Sequence, residues 1–279
     1  MTLPVLPVLP VGDRPAPRSL GVRPLGDAPL TIRDPGRLPA ELALRRRLLD
    51  EDRDARFAAL PGTREAQAAA LRLLAADVRR QGADLDPPAG LADPLDWAGR
   101  HVAEDLLLLD AARPDVPLVA GSLCFPNGWE IRGALGRPVA AIHAPVPGFA
   151  ATIGGPALAL MRRLRPERPV WRANWTLRTT DRLDLPPGAA MPPAPADPGR
   201  IWVRVERQTL SRVPGADALL FTVHTRSRAV AEVCADPVRA RRLHTALAAM
   251  GQDMRAYKGV GELAGPVMRW LEERRADAS

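Results

Sequence analysis

Residues 201–212 read IWVRVERQTLSR, and this stretch decides the fold. Apolar and polar residues alternate along it, which is the period of a β-strand with one buried face. The loop VPGAD at 213–217 and the apolar run ALLFTVHT at 218–225 follow at once, so the two runs predict an antiparallel hairpin. One face of the first strand carries Ile201, Val203, Val205 and Arg207, and the other carries Trp202, Arg204, Glu206 and Gln208.

Further elements lie on both sides of this hairpin. The sequence predicts strands over 170–178 and within VPLVAGSLCF at 116–125, and an extended segment over 138–143. Helical spacing predicts helices over 38–50, over 64–80 with Thr63 as its cap, and from Asp93-Pro94 to about residue 110. Later helices are predicted over 152–165, 228–234, 236–250 and 260–275.

The order of these elements gives the fold class. Helices come first, then mixed strands, then helices again, which predicts an α+β fold with an antiparallel sheet flanked by N- and C-terminal helices. Residues 1–38 are rich in Pro, Gly and Arg and predict an extended arm. Residues 39–279 are then expected to form a single domain.

The net charge of +7 and the pI near 10.8 first suggest a nucleic-acid partner. The cations are almost all arginine, since Lys258 is the only lysine, and they are interleaved with Asp and Glu along the chain. We therefore expect no nucleic-acid partner. A mildly basic surface is compatible with docking an acidic electron-transfer protein.

Apolar segments give the expected location. No apolar segment of the chain reads as a membrane span, and prolines break the apolar start of the chain, so we expect neither a membrane span nor a signal peptide. A cytoplasmic protein is the resulting expectation. Its two cysteines, Cys124 and Cys234, are accordingly expected to be free thiols.

Four histidines are the candidate metal ligands: His101, His143, His224 and His244. His143 ends the apolar run AAIH and is followed by the rigid turn APVP, a setting that suits an axial ligand to haem. A core histidine with both nitrogens satisfied explains the same pattern. The sequence contains no HExxH, CxxC, GxGxxG or GxSxG motif that points to other chemistry.

Two further positions stand out. Glu206 lies between Arg204 and Arg207, where it forms either a solvated charge ladder or a buried arginine–carboxylate pair that holds a polar pocket. Tyr257 and Lys258 are the only tyrosine and the only lysine of the chain. Chance, or a role as a helix-end cap, explains them as well as a functional role does.

Several short segments, taken in order, resemble the haem-dependent oxidative N-demethylase family. They are GVRPLGD (21–27), PAELALRRRLL (39–49), LCFPNGW (123–129), GRPVAAIHAPVPG (136–148), NWTL (174–177), RVERQTLSRVPGADALLFTVHT (204–225) and MRAYKG (254–259). The resemblance implies a PAS-like antiparallel sheet that binds a b-type haem. It also implies NADPH-dependent oxidation of a small secondary amine with dioxygen, with electrons supplied by a reductase whose partner subunits carry flavin and an iron–sulfur centre.

The resemblance also implies a set of site residues. The IHAPVP segment makes His143 the haem ligand, with His224 as the alternative. The catalytic lining is expected from Asn174, Glu206 and Gln208, with Glu206 holding a protonated amine. Trp175 and Arg207 are expected to contact the cofactor. A haem-based gas or redox sensor without catalytic activity is the alternative function, because a fold does not fix a function.

Overall fold

One antiparallel sheet forms the centre of the molecule. The computed structural model describes residues 20–276, and within them seven strands join in the order β1-β5-β6-β7-β3-β4-β2. The strands are β1 (Arg23–Pro24), β2 (Phe57–Ala59), β3 (Asp105–Asp110), β4 (Leu118–Ser122), β5 (Val170–Arg178), β6 (Trp202–Arg212) and β7 (Ala218–Ala229). Every neighbouring pair is antiparallel. The predicted α+β class, with an antiparallel sheet flanked by helices, is confirmed.

The predicted hairpin is the longest pairing in this sheet. Trp202 lies opposite Ala229, and Arg212 lies opposite Leu219. The chain reverses at the loop 213–217, where Gly215 adopts a φ of 74°, a backbone conformation that glycine reaches without steric cost. The second strand continues four residues beyond its predicted end at residue 225.

Helices cover the sheet on both sides. They are α1 (Leu38–Glu51), α2 (Arg53–Arg56), α3 (Arg64–Arg80), α4 (Pro94–Gly99), α5 (Ile131–Ala134), α6 (Val139–Ile142), α7 (Gly154–Arg163), α8 (Val230–Val233), α9 (Pro237–Ala248), α10 (Gln252–Lys258) and α11 (Gly261–Ala276). A π-helical turn over Phe149–Ile153 leads into α7.

The covered face is the side of the sheet that carries Leu106 and Leu108 on β3 and Val203 and Val205 on β6. Helices α1, α3 and α4 bury its β3 end in one apolar cluster. Helices α8, α9 and α11 bury its β6 end in a second cluster. The N- and C-terminal helices therefore share one side of the sheet.

The opposite side is divided into an apolar part and a polar part. Leu107, Leu109 and Leu219 pack there beneath α5, α6 and residues of α7. Further along β5 and β6 the side chains on this side become polar and half-buried. We call this second part the polar face, and it consists of Arg172, Asn174, Glu206 and Gln208.

The prediction for residues 94–110 is partly wrong. The third helix ends at Gly99, and Asp105–Asp110 is a strand between β7 and β4 rather than the end of that helix. Its sequence, DLLLLD, has no period, because both faces of a central strand are buried. A short apolar run of this kind fits a buried strand and a buried helix equally well.

Two smaller predictions also need correction. Val139–Ile142 is a helical turn rather than an extended segment, so His143 ends a helix and not a strand. Thr63 does precede α3 as predicted, but its hydroxyl donates to the carbonyl of Leu60 and makes no cap. In both places the local residue types were compatible with more than one hydrogen-bonding arrangement.

The N-terminal arm is anchored along the covered face in its described part. Leu30 and Thr31 donate their backbone N–H groups to Asp77, and Ile32 donates to Glu104. Leu30, Thr31 and Ile32 are buried as a result. The remainder of the predicted arm, residues 1–19, lies outside the described residues.

Two expectations concern membranes and thiols. Within residues 20–276, no helix has the length and apolar character needed to cross a membrane. Cys124 and Cys234 are free thiols, which confirms the prediction. Burial raises the pKa of Cys124 to about 11 and that of Cys234 to about 12, so both remain protonated near neutral pH.

Candidate functional site

The polar face brings together three of the predicted site residues. Asn174 lies directly opposite Glu206 in the pairing of β5 with β6, and Gln208 lies two residues further along β6. Residues two apart on a strand share a face, so their side chains meet above the sheet. The alternation predicted for IWVRVERQ therefore places Glu206 and Gln208 on one face of β6, next to Asn174 of β5.

Three side-chain amides hold the Glu206 carboxylate. Asn127 donates to Oε1 at 3.2 Å, while Asn174 and Gln208 donate to Oε2 at 3.4 Å and 3.0 Å. A carboxylate has about four acceptor positions on its two oxygens. Three donors leave at least one position on Glu206 for a ligand.

Two cations fix the orientation of the asparagines. Arg178 donates to Oδ1 of Asn127 from Nε at 3.0 Å and from Nη2 at 2.7 Å, and Nζ of Lys258 donates to Oδ1 of Asn174 at 2.8 Å. Each amide oxygen faces a cation, so each amide nitrogen faces Glu206. We call Asn127, Asn174, Arg178, Glu206, Gln208 and Lys258 the Glu206 network.

Neither neighbouring arginine pairs with Glu206, so the buried arginine–carboxylate pair, one of the two alternatives for this carboxylate, does not form. Arg204 is buried and donates to four backbone carbonyls, two in the loop 125–126 and two in the loop 182–183, at 2.8–3.1 Å. Arg207 points to the covered face. Within the described residues no ion pair closes on Glu206, so its charge is balanced at longer range.

Lys258 contacts this network through both its backbone carbonyl and its side chain. It ends α10 next to Gly259, which has a φ of 62°, and its carbonyl accepts hydrogen bonds from Thr176 and Arg178. Burial, with the charges of Arg172 and Arg178, lowers the pKa of its ammonium to about 8, while Glu206 acts in the opposite direction. The only lysine of the chain therefore both ends α10 and donates a hydrogen bond to Asn174.

Arg172 completes the polar face without joining the network. It lies opposite Gln208, and no described residue accepts a hydrogen bond from its guanidinium; its Nε is buried without a partner. Burial lowers its pKa, against the opposing effects of Glu206 and Tyr257. The sequence analysis named neither Arg172 nor Asn127 nor Arg178 as a site residue.

His143 lies beside this face at the end of α6. Nδ1 is 2.9 Å from the carbonyl oxygen of Val139, and the ring stacks on Phe149 with centroids 4.9 Å apart. Because a carbonyl only accepts, Nδ1 carries the hydrogen and Nε2 keeps its lone pair. No described residue binds Nε2, so that nitrogen is free to ligate a metal.

The electrostatic surroundings of His143 favour the neutral ring. Protein atoms around the imidazole lower its pKa, the positive charge of Arg172 adds to this effect, and the Val139 hydrogen bond opposes it. The ring is nevertheless accessible to solvent. A neutral imidazole is the form that binds a metal.

His224, the alternative ligand, lies on the other side of the sheet. It faces Arg207 across β6 and β7 and is 1% exposed, with Nε2 at 3.8 Å from Glu41. The sheet itself separates it from Glu206. A ligand that contacts both a histidine and Glu206 therefore has to use His143.

The structure does not bring Arg207 and Trp175 to the polar face. Arg207 donates to the carbonyls of Leu30 and Pro29, so it holds the N-terminal arm. Trp175 is buried beneath the C-terminal helices, and it meets the site through Lys258, whose Nζ donates to the Trp175 carbonyl at 2.6 Å and lies 5.8 Å from the centroid of its ring. Neither side chain lies on the same face as Glu206.

The residues beside the polar face suit a haem group in their chemistry. They offer one imidazole nitrogen with a free lone pair, an aromatic ring packed on that imidazole, and cations that can meet carboxylates. Within the described residues, no group of three or more His, Cys, Asp or Glu side chains could hold a bare metal ion. A cavity of about 300 Å³ near Trp202 and Thr179 contains no histidine or cysteine.

Comparison with known protein families gives one result. A family model described as haem-dependent oxidative N-demethylase, alpha subunit-like, matches residues 74–268, which is well over half of the chain. The matched range contains every member of the Glu206 network as well as Arg172 and His143.

Proposed function

The chain belongs to the haem-dependent oxidative N-demethylase, alpha subunit-like family, and on that premise we propose that it oxidatively removes a methyl group from a small secondary amine bound beside the polar face. The observation that carries this proposal is the Glu206 carboxylate, which three amides orient while one acceptor position remains. A protonated secondary amine has N–H groups that fill such a position with a charge-assisted hydrogen bond.

The role of Glu206 is to hold and orient the ammonium group. Asn127, Asn174 and Gln208 keep the carboxylate fixed, and Arg178 and Lys258 keep the asparagines fixed in turn. An oriented acceptor loses little conformational freedom when the amine binds. Glu206 is also the carboxylate that would accept a proton from the bound amine.

His143 is the proposed ligand of the haem iron through Nε2. The Val139 carbonyl fixes the ring tautomer, and Phe149 fixes the ring plane by stacking. When bound, a b-type haem would supply the redox chemistry with dioxygen, and the protein supplies position and electrostatics. The remaining residues bind the amine and keep it next to the cofactor.

Electrons for this reaction are proposed to come from a partner reductase. The two cysteines of the chain cannot provide the four thiolates of a typical iron–sulfur cluster. We therefore place flavin, the iron–sulfur centre and NADPH on partner subunits. Dioxygen and a small secondary amine are the substrates.

Haem titration of the His143→Ala variant tests the ligand. We expect the wild-type protein to give a histidine-ligated Soret spectrum and the variant to lose it, because Nε2 of His143 is the free imidazole nitrogen beside the polar face. His244→Ala is the matched control, since His244 is bound to Glu272 on helix α11. If the spectrum survives in His143→Ala but disappears in His224→Ala, the ligand assignment is wrong.

Amine titration separates the enzyme from the sensor. A secondary amine should shift the spectrum of the haem-loaded protein, because it binds next to the iron. A Soret band that no small amine moves would favour the sensor function instead.

A further inference from the structure

The charges beside the polar face do not balance. Four cationic side chains lie near the single carboxylate of Glu206, and its charge acts on the pKa of each of them: Arg172, Arg178, Arg204 and Lys258. Arg178 and Lys258 donate hydrogen bonds to the side-chain oxygens of the two asparagines. The guanidinium of Arg172 donates no hydrogen bond to any described residue. A secondary amine alone, which is a cation, would add to this excess of positive charge.

An unpartnered arginine in this position has a cost for the folded protein. Burial lowers the pKa of Arg172, which means that its surroundings disfavour the charged form. Polar groups left without partners are uncommon in protein interiors and call for an explanation. A ligand that carries an anionic group would provide the missing partner.

We propose that Arg172 binds a carboxylate of the ligand that occupies the polar face, while Glu206 binds the ammonium group of the same site. This inference rests on the proposed function. The guanidinium presents a planar fork of N–H donors that matches the two oxygens of a carboxylate. Arg172 pairs with Gln208 and Glu206 pairs with Asn174, and these are successive pairs on one face of β5 and β6, so the two ligand groups would lie side by side above the sheet.

Two molecules at this site can bring that carboxylate. One is the haem, through a propionate, since α6, which ends at His143, packs on the side of the sheet that carries Arg172. The other is the amine substrate, which would then be an N-methylated amino acid rather than a simple alkylamine. The shared chemistry is one carboxylate on one guanidinium, and the two sources separate by experiment.

The test begins with the stability of the haem-free protein. Because Arg172 makes no hydrogen bond in the described structure, Arg172→Gln should leave the melting temperature unchanged or raise it. Arg165→Gln is the matched control. Arg165 is exposed on the loop before β5, and its substitution removes the same charge as Arg172→Gln does. A clear fall in melting temperature for Arg172→Gln alone would mean that Arg172 is structural, and it would overturn the proposal.

The second measurement asks whether the cofactor brings the carboxylate. Haemin and haemin dimethyl ester are titrated into the haem-free wild type, Arg172→Gln and Arg165→Gln, with the Soret band and tryptophan quenching as readouts. If a propionate is the partner, Arg172→Gln weakens haemin binding by about 10- to 100-fold. Esterification should weaken binding to the wild type similarly and should have little further effect on the variant.

The third measurement asks whether the substrate brings it. N-methylglycine and dimethylamine are titrated into each protein, loaded with haem where haem binds and haem-free otherwise. A substrate carboxylate predicts that Arg172→Gln loses about 10- to 100-fold in affinity for N-methylglycine and little for dimethylamine. If both haemin and N-methylglycine bind Arg172→Gln as well as they bind the wild type, the proposal is wrong.

Failure of the proposed function gives a different result from failure of this inference. A wild type that shows no Soret band with haemin contradicts haem binding itself. Calorimetry with N-methylglycine on the haem-free protein still tests Arg172 in that case. Equal heats for the wild type and Arg172→Gln would then overturn the carboxylate assignment independently.

Discussion

Two polar regions of the molecule use their carboxylates differently. Under the N-terminal helices, Asp77, Glu104 and Asp105 accept hydrogen bonds from backbone N–H groups, and Arg45 pairs with Asp105 at 2.9 Å; we call these four residues the closed network. On the polar face, Glu206 accepts only from side-chain amides. The closed network is fully buried, whereas the polar face is half-exposed.

The difference indicates what each region does. Backbone donors tie two distant segments of chain together, as Asp77 ties the N-terminal arm to α3. Side-chain donors fix only the carboxylate itself, and in the proposed function the remaining acceptor position of Glu206 and the guanidinium of Arg172 bind a ligand. Burial of charge therefore does not identify a site here. The type of partner does, and this distinction can be tested.

The largest expected effect comes from breaking the closed network. Asp105→Ala leaves the fully buried guanidinium of Arg45 without its ion pair and leaves the N–H groups of Cys124 and Phe125 without their acceptor. We expect a loss of roughly 3–5 kcal/mol in the free energy of unfolding. Urea denaturation of the purified protein measures it. A loss below about 1 kcal/mol would show that the closed network does not hold the fold.

Glu206→Gln should lower the affinity for amines more than it lowers the free energy of unfolding. The variant keeps the shape of the side chain but loses the charge that faces the ammonium, so amine affinity should fall by roughly 2–4 kcal/mol, or about 30- to 1000-fold. Its free energy of unfolding should fall less than that of Asp105→Ala, because water reaches the polar face. Spectral titration of the haem-loaded protein with small secondary amines gives the affinity.

A matched carboxylate controls for charge alone. Glu167 is exposed on the loop before β5, and Glu167→Gln removes one negative charge without touching the site. It should bind amines as the wild type does. If Glu206→Gln loses stability while its amine affinity stays unchanged, Glu206 belongs with the structural carboxylates and the comparison fails.

The most gradual expected effect is a pH dependence. The ammonium of Lys258 keeps its proton up to about pH 10.5 in the unfolded chain, but burial and nearby arginines lower its pKa to about 8 in the folded protein. Between these values the unfolded state binds more protons, so this group makes the folded state more stable as pH rises. Lys258→Met should remove that contribution.

The measurement is a difference between two pH profiles. Melting temperatures of the wild type and Lys258→Met are compared at several pH values between about 8 and 10.5. The wild type should gain on the variant as pH rises, while groups common to both proteins, such as Tyr257 and the two thiols, contribute equally to the two profiles. Parallel profiles would mean that the pKa of Lys258 is ordinary.

The fold could be predicted from the sequence wherever a period is visible. IWVRVERQTLSR alternates, and both its strand and the assignment of its two faces are confirmed. DLLLLD has no period, and its prediction as a helix is wrong. Apolar and polar residues alternate only where one side of an element faces water, so an element that is buried on both sides shows no such period.

The candidate site was predictable only in its local part. Asn174, Glu206 and Gln208 lie on strands whose faces the sequence defines, and they do meet. Asn127 and Lys258 reach the same carboxylate network from a loop and from the end of α10. Nothing in the local sequence says which distant segment crosses the open edge of a strand. The single lysine in an arginine-rich chain was the one available signal.

The Asn127–Gly128 pair bears on how long the protein survives chemically. An asparagine followed by glycine is prone to deamidation, which begins when the nitrogen of the next residue attacks the side-chain carbonyl. Here the N–H of Gly128 is engaged with the carbonyl of Leu185 at 2.9 Å, and Arg178 and Glu206 hold the two ends of the Asn127 amide. The attack geometry is therefore blocked while the loop is folded. Unfolding or prolonged heating would release it, and the resulting aspartate would place a second negative charge against Glu206, so that a protein refolded after such damage would carry an altered site.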